Sequence, residues 1–454
     1  MNQKENKMSF MPMNKLMLTM GIPMILSMML QALYNIVDSI FVGGIADVGE
    51  SALNALTLAF PVQMLMVAVG IGTGVGMGAV VSMRLGQKNQ EQASHTAGNA
   101  FFLAIVIYIV FLLFGVFGVK AYIQSQTQNA LIIDMAVTYL RICCIWSFGI
   151  VFFSVFEKLL QSTGKSVYST AAQVSGAVVN IILDPILIYG LLGLPKLGVS
   201  GAAYATIIGQ IVSFAVAAVF HFKKNVEIKN GLSYLKPSLQ TIKKIYAIGL
   251  PAIIAQALMS VMTYGLNRIL VRIDESVVTA YGLFYKIQQF ILFAAFGLRD
   301  TITPIVSYNY GKNDKERINS GIKYGLGYTL CIMLIGTLLL ELFASPFSSA
   351  FGLSGSTKEI CVSAMRIISI SFVFAGANIA YQGVFQALGA GLESLIVSVC
   401  RQFLFVIPIA WALSGVAVEN AVNTWVVWLT FIIAEVLSCI ISVVFMKRIR
   451  KRKL

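Results

Sequence analysis

Charge is scarce in this chain. Only 11% of its 454 residues are Asp, Glu, Lys or Arg, against 58% hydrophobic residues and a mean hydropathy of +0.83. A soluble domain carries about a quarter of its residues as charges, so the composition excludes a water-soluble protein and points to an integral membrane one. Histidine is scarcer still. His95 and His221 stand far apart near the ends of apolar runs, and no nucleophile, metal-ligand spacing or phosphate motif accompanies them, so an enzyme finds no support. The glycine-rich stretch 70–78 lies in an apolar run without a P-loop lysine, where close helix packing explains it. The cysteines at 143, 144, 331, 361, 400 and 439 fall in apolar runs with no disulfide or metal spacing, and they read as small buried hydrophobes.

What is abundant is length of apolar sequence. Runs of about 20 residues, enough to cross a bilayer core of about 30 Å, lie near 16–42, 52–82, 93–118, 131–157, 167–192, 200–222, 244–273, 277–305, 318–345, 360–388, 394–414 and 422–446. They are continuous, not alternating, which predicts helices and not a barrel. The fold class expected is therefore an all-α integral membrane protein of twelve transmembrane helices. The net charge of +14 suggests nucleic acid until the basic residues are placed. With the N-terminus inside, the inner segments hold 22 and the outer loops only Lys120, Lys196, Arg272 and Lys358, the positive-inside pattern. The excess is topogenic, with both termini cytoplasmic and no nucleic-acid partner. The tail Lys447–Lys453 suits anionic lipid of the inner leaflet. Met1–Lys15 is polar and the run after it is too long for a signal peptide's core.

The chain repeats itself. Gly21, Pro23 and Ile25 return as Gly249, Pro251 and Ile253; Ser51, Ala55, Leu58, Gln63, Gly72, Ser82, Gly86 and Glu91 return 225 residues on, and Gln161 and Gly164 fall on Gln386 and Gly389. Six spans per half leave both halves in one orientation, so the two six-helix lobes should be related by a pseudo-two-fold axis along the membrane normal. Residues 1–222 form the first lobe, 223–243 a basic cytoplasmic linker, and 244–454 the second lobe with its basic tail.

Polar groups inside spans cost on the order of 2.5–3.5 kcal/mol when charged, so each needs a reason. Met24, Met28, Gln31, Asn35 and Asp38 share one face of the first span. Gln173, Ala177, Asn180 and Asp184 share a face of the fifth, with Pro185 freeing the carbonyl of Ile181 and inviting a bend. If the two faces meet, Asp38, Asn180 and Asp184 form a dry cluster in which two carboxylates compete for one proton. A network that merely fixes helix packing is the plainer reading. Glu157, beside Lys158 at the end of the fourth span, reads as a cation anchor or as half of an ion pair, and Tyr139 of that span can hydrogen-bond the cluster. The seventh span carries Gln256, Ser260, Thr263 and Asn267 with Met259 and Met262 but no carboxylate, which assigns ion coupling to the first half. Arg299 and Asp300, being adjacent, are expected not to face each other.

The stretch from Asn180 through Asp184-Pro185 to Gly190, continuing Gly198-Val-Ser-Gly-Ala-Ala-Tyr-Ala-Thr206, resembles the signature of the multidrug and toxic compound extrusion (MATE) transporters. Ser307-Tyr-Asn-Tyr-Gly-Lys312 and Leu85-Gly86-Gln87 do so as well. The resemblance spans essentially the whole chain and is closest to the DinF branch. It implies a coupling site of Asp38, Asn180 and Asp184, with Tyr139 and Thr206. The NorM branch keeps a glutamate where this chain has Met259, which argues against a sodium site in the second lobe. The resemblance further implies a monomeric, multi-pass antiporter of the bacterial cytoplasmic membrane that exports amphipathic cationic drugs against protons and needs no cofactor. A substrate cavity is expected from Met28, Gln31, Asn35, Phe152, Phe153, Glu157, Gln161, Gln173, Met259, Met262 and Thr263. Sodium coupling is one alternative. A lipid-linked precursor flippase is another, and it would require Arg268, Lys286 and Arg299 to converge.

Overall fold

A computed structural model of the chain describes residues 5–46, 48–350, 353–419 and 421–454, with the backbone alone at 35, 36, 350, 421 and 422. Among the described residues there are helices and no strands. In the first half α1 is Met13–Gly43, α2 Gly49–Gly86, α3 Gln90–Gln124, α4 Ala130–Ile145, α5 Phe148–Ser162, α6 Ser166–Tyr189 and α7 Val199–Lys224. In the second, α8 is Leu239–Leu270, α9 Glu275–Gly311, α10 Lys315–Ala350, α11 Gly355–Ser369, α12 Phe372–Ala387, α13 Gly391–Glu419 and α14 Asn423–Lys453. Ten are long and apolar enough to cross a membrane, and the bent pairs α4–α5 (47°) and α11–α12 (50°) raise the number to twelve. The fourth and tenth spans, continuous as sequence, are thus each broken, at equivalent places.

Local chemistry sets the helix ends. Asn129 caps α4 by accepting from the N–H groups of Leu131 and Ile132 at 3.0 and 3.3 Å, and Asn89 caps α3 through Gln92 N at 3.0 Å. Gly164 and Gly389 follow α5 and α12 with φ of +81° and +66°, the left-handed turn that glycine enters without strain. They are repeat partners 225 residues apart. α6 continues through Pro185 to Tyr189.

The chain divides into two compact units: one of Leu26–Ile253 with the N-terminal residues through Phe10, the other of Met11–Ile25 with Ile254–Leu454. The opening turns of α1 and α8 are therefore exchanged. In the first unit, Gly72 of α2 lets Gly249 and Ile253 of α8 approach so closely that a Cβ on Gly72 would lie 2.9 Å from the Gly249 carbonyl oxygen. In the second, a Cβ on Gly297 of α9 would lie 2.8 Å from the Cα of Ile25 in α1. Gly72 and Gly297 are repeat partners, and so are Ile25 and Ile253. The repeated Gly-x-Pro-x-Ile is thus a contact motif used twice.

The segment 223–243 lies against the first unit. Ser94 Oγ accepts from Lys229 N at 2.8 Å, Asn99 Oδ1 accepts from Ser238 N at 2.7 Å, and Asn99 Nδ2 donates to the Lys236 carbonyl at 3.2 Å. Glu227 pairs with Lys165 at 2.6 Å, and Glu91 pairs with Lys229 at 3.1 Å. Four cysteines are buried as expected, but Cys331 is exposed and Cys439 half-exposed, because those positions fall on outward faces of α10 and α14.

Candidate functional site

Asp38 near the end of α1 and Asn180 and Asp184 of α6 meet within the first unit. Asn180 and Asp184 are buried, and Asn180 Nδ2 donates to Asp184 Oδ1 at 3.4 Å, a long bond one helical turn apart. Asp38 is close enough to Asp184 for their charges to interact, and Tyr34, one turn before Asp38, lies within reach of both. Three acceptors here, Asp38 Oδ1, Asn180 Oδ1 and Asp184 Oδ2, are buried and accept no hydrogen bond among the described residues. Buried acceptors are normally paired because leaving one unmet costs about 1–3 kcal/mol. Three together make a place that can accept a proton or a cation. Tyr139, also buried, accepts from Gln63 Nε2 at 3.1 Å and lies within electrostatic range of Asp38.

A cavity with about 540 Å³ of empty space, its mouth included, adjoins this cluster. Gln31 and Tyr34 line it from α1, Phe153 and Glu157 from α5, Gln173 and Asn180 from α6, and Thr206, Gln210 and Ser213 from α7. Asn180 and Tyr34 belong to both cavity and cluster, so whatever alters the acids alters the cavity wall. Glu157 is 6% exposed and is the carboxylate among the lining residues, held by Gln161 Nε2 at 3.1 Å; Gln161 Oε1 in turn accepts from Lys158 Nζ at 3.0 Å. The lining is rich in carboxamides and hydroxyls around one acid, with Phe153, Val67, Ile71 and Ile150 as its apolar part. That chemistry suits an amphipathic cation that can also hydrogen-bond.

Not every expected residue joins it. Phe152 packs on Phe214, ring centroids 5.7 Å apart, in an aromatic cluster with Phe148 and Phe156. Gln161 sits behind Glu157, and Met28 is half-buried outside the lining. Met259 and Met262 pack against the core of the second unit, where Thr263 Oγ1 donates to the Met259 carbonyl at 3.0 Å. The side chain of Asn35 lies outside the described residues. Arg299 and Asp300 do face each other, contrary to expectation: the guanidinium reaches back to donate twice to Asp300 Oδ1, at 2.9 and 2.8 Å, and also stands 4.9 Å over the Phe296 ring. Sequence neighbours on a helix project about 100° apart, but a long arginine can curl across that angle. Arg268 and Lys286 are exposed and take no part in that pair.

Sequence reasoning passed over Tyr34, Gln210 and Ser213 in the cavity, and the buried pair Arg401–Glu435 in the second unit. The period of the first-span stripe, extended by one neighbour, would have reached Tyr34. Two ionisable residues inside apolar runs were the signal for the pair.

The second half repeats the scaffold of the cluster without its chemistry. At the offset of 228 shown by Pro23 and Pro251, Asp38 corresponds to Leu266; at 225, Tyr139 corresponds to Ala364 and Thr206 to Phe431. Helix α13 contains a π-helical turn, Cys400–Leu404, that α6 lacks, and its extra residue places Val406 and Ala410 where α6 has Asn180 and Asp184. Leu266, Ala364, Val406, Ala410 and Phe431 all belong to one apolar core, with Tyr281 stacked on Trp428 and Phe431 at 6.2 and 5.8 Å.

A model of the MatE family matches residues 23–186 and again residues 251–412, one block in each half and more than half the chain together. Among curated proteins the chain is 25% identical over 460 residues to the multidrug export protein MepA of Staphylococcus aureus, covering 97% of this chain and 95% of that one. To MepA of Staphylococcus saprophyticus it is 23% identical over 436 residues, covering 96% and 94%. A solved MATE structure in the straight conformation superimposes with a TM-score of 0.91 at 25% identity, over 99% of this chain and 100% of the other.

Proposed function

The chain belongs to the MatE family of transporters, and we propose that it exports amphipathic, mainly cationic compounds in exchange for protons by alternating access. The observation that carries this reading is the junction of cavity and acid cluster at Asn180 and Tyr34. Multidrug export, the activity named for the MepA relatives, fits an adaptable lining with one carboxylate, Glu157, to hold a cation. A proton shared by Asp38 and Asp184 removes the repulsion between them and weakens the hold of Asp184 on the Asn180 amide. The cavity wall then changes shape, and the cation is released. The drive is the difference in proton affinity between the two arrangements of the transporter.

The energetics limit the exchange. One elementary charge crossing 100 mV is worth about 2.3 kcal/mol, and each tenfold drug gradient costs about 1.4 kcal/mol. One proton for one monovalent cation moves no net charge, so that exchange runs on the pH difference alone. The distribution of basic residues supports a multi-pass protein of the bacterial cytoplasmic membrane with both termini inside. Sodium could bind the same oxygens. Against a flippase stands the capture of Arg299 by Asp300.

The test is pH-driven ethidium efflux from vesicles holding the full chain. Asp38→Asn and Asp184→Asn are each expected to abolish it while the protein remains inserted; undiminished efflux in both ends the proton-site assignment. A sodium gradient at equal pH should drive nothing.

A further inference from the structure

The first-half cavity has a counterpart position by position in the second half. Phe153, Glu157, Gly176, Ala177, Gln210 and Ser213 line it. At the offset of 225 that holds up to the π turn and again between α7 and α14, the second half has Asn378, Gln382, Glu435 and Ser438, and the same offset carried on into the turn sets Arg401 and Gln402 against Gly176 and Ala177. The burial of α7 and α14 confirms this register, since Gly209, Ser213, Ala217 and His221 are matched by buried Ala434, Ser438, Ser442 and Met446.

In the second half that region is filled with charge. Arg401, 6% exposed, donates from Nε to both oxygens of Glu435 at 3.0 and 3.1 Å and from its terminal nitrogen at 2.7 Å. Asn378 Nδ2 adds a bond to Glu435 Oε2 at 2.8 Å and one to the Glu435 carbonyl at 3.0 Å, and Ser442 Oγ fixes Asn378 by donating to its Oδ1 at 2.8 Å. The carboxylate is saturated and the pair is neutral as a whole.

The first half has no room for such an arginine. A Cβ on Gly176 would run into Ser213 Oγ and the carbonyl oxygen of Gly209. The π turn at Cys400–Leu404 changes the course of α13 at the equivalent residue, and Arg401 lies within that turn. Backbone and side chains therefore agree: one half leaves a cavity between these helices, and the other spends the same positions on an ion pair.

We propose that Arg401–Glu435 is a built-in occupant of the second half's counterpart to the cargo cavity, and that it determines specificity by confining cargo to the first half. This rests on the assignment of that cavity to cationic cargo. A buried pair of this kind is replaceable by apolar residues of similar volume if its role is occupancy.

The experiment is ethidium binding to the purified full chain in detergent, followed by fluorescence and calorimetry. The wild type should bind one equivalent, and Glu157→Gln should weaken it tenfold or more. Arg401→Gly with Glu435→Gln and Gln382→Glu gives the second half the residues of the first at the positions of Gly176, Gln210 and Glu157, carboxylate included, and should bind two equivalents, the second insensitive to Glu157→Gln. A folded triple variant that stays at one equivalent, or a wild type that already binds two, overturns the inference while leaving the cargo assignment standing. A wild type that binds no ethidium sinks the cargo assignment and this inference with it. Arg401→Met with Glu435→Met keeps the space filled without charge and bears on the case even if the first variant fails to fold. It should hold at one equivalent with export within twofold of wild type, and a tenfold loss of export in that folded protein refutes occupancy as the role.

Discussion

Gly209 of α7 packs against α6 at Gly176 and Asn180, beside the acid cluster. An added Cβ there would stand 2.7 Å from the Gly176 carbonyl oxygen and 3.0 Å from the Cβ of Asn180, where ordinary contact begins at 3.4 Å. One of these atoms is backbone and the other is the root of a side chain, so neither swings away. α6 must retreat by about 0.7 Å, the difference between 2.7 and 3.4. Overpacking of this kind costs about 1–3 kcal/mol, against about 1 kcal/mol gained when alanine replaces glycine in a helix. Gly209→Ala should therefore be destabilised by at most about 2 kcal/mol. Function should suffer more. Asn180 and Asp184 travel with α6 while Asp38 stays on α1, so the retreat changes the separation at which the two carboxylates interact. The expected result is a small drop in melting temperature in detergent with at least a tenfold loss of pH-driven efflux. Gly282→Ala, at a helical glycine with no atom within 4 Å of the added carbon, is the control: it should raise the melting temperature slightly through the helical gain alone and leave efflux unchanged. Efflux by Gly209→Ala equal to that of the control would show that the α6–α7 seam does not position the acids.

Glu157→Gln keeps the shape and the bond from Gln161 while removing the charge. It should raise KM for cationic drugs tenfold or more and leave a neutral amphipathic substrate within twofold, measured in the same vesicles; equal losses for both would refute a cation anchor. Asp274 lies outside the spans and caps α9, accepting from Ser276 N at 2.7 Å, and hydrogen bonding from Ser276 holds its carboxyl below the usual value. A lowered carboxylate stabilises the fold above its unfolded-state pKa and loses that contribution as pH falls through the folded-state one. Asp274→Ala should thus lower the melting temperature at pH 7, with the difference closing as the pH falls through the lowered folded-state value, as thermal melts across pH would record.

Apolar run length and the register of the repeat made the twelve spans and two lobes legible, and helical spacing placed Asp38 on the polar stripe of one span and Asn180 and Asp184 on that of another, leaving open whether the two stripes meet. What escaped needed distance in sequence to become proximity in space. Arg401 and Glu435 lie on different helices, and each alone reads as an anomaly in an apolar run. The break in the fourth span falls at Trp146 and Ser147, which carry no proline or glycine to announce it. Phe152 and Phe153 are indistinguishable as composition, yet the turn of α5 sends one into the aromatic cluster and the other to the cavity. The face of a helix is set to within about 100° per residue, so a stripe argued over four or five positions survives while a single position does not.

Under the proposed proton exchange, the two halves differ where electrical work is at stake. A duplicated scaffold offers two equivalent places for buried acids. If both were filled with exchangeable carboxylates, each cycle would load and carry charge twice, at about 2.3 kcal/mol per charge per 100 mV, and a one-for-one exchange with a monovalent cation would cease to be electroneutral. The second half avoids this in two ways. Leu266, Val406 and Ala410 put apolar groups where the acids and the amide stand in the first half, and Glu435 is tied to Arg401 and Asn378 so that the buried unit has no net charge to move. The one-residue π turn of α13 links the two, because it lies at Arg401 and shifts the register beyond it.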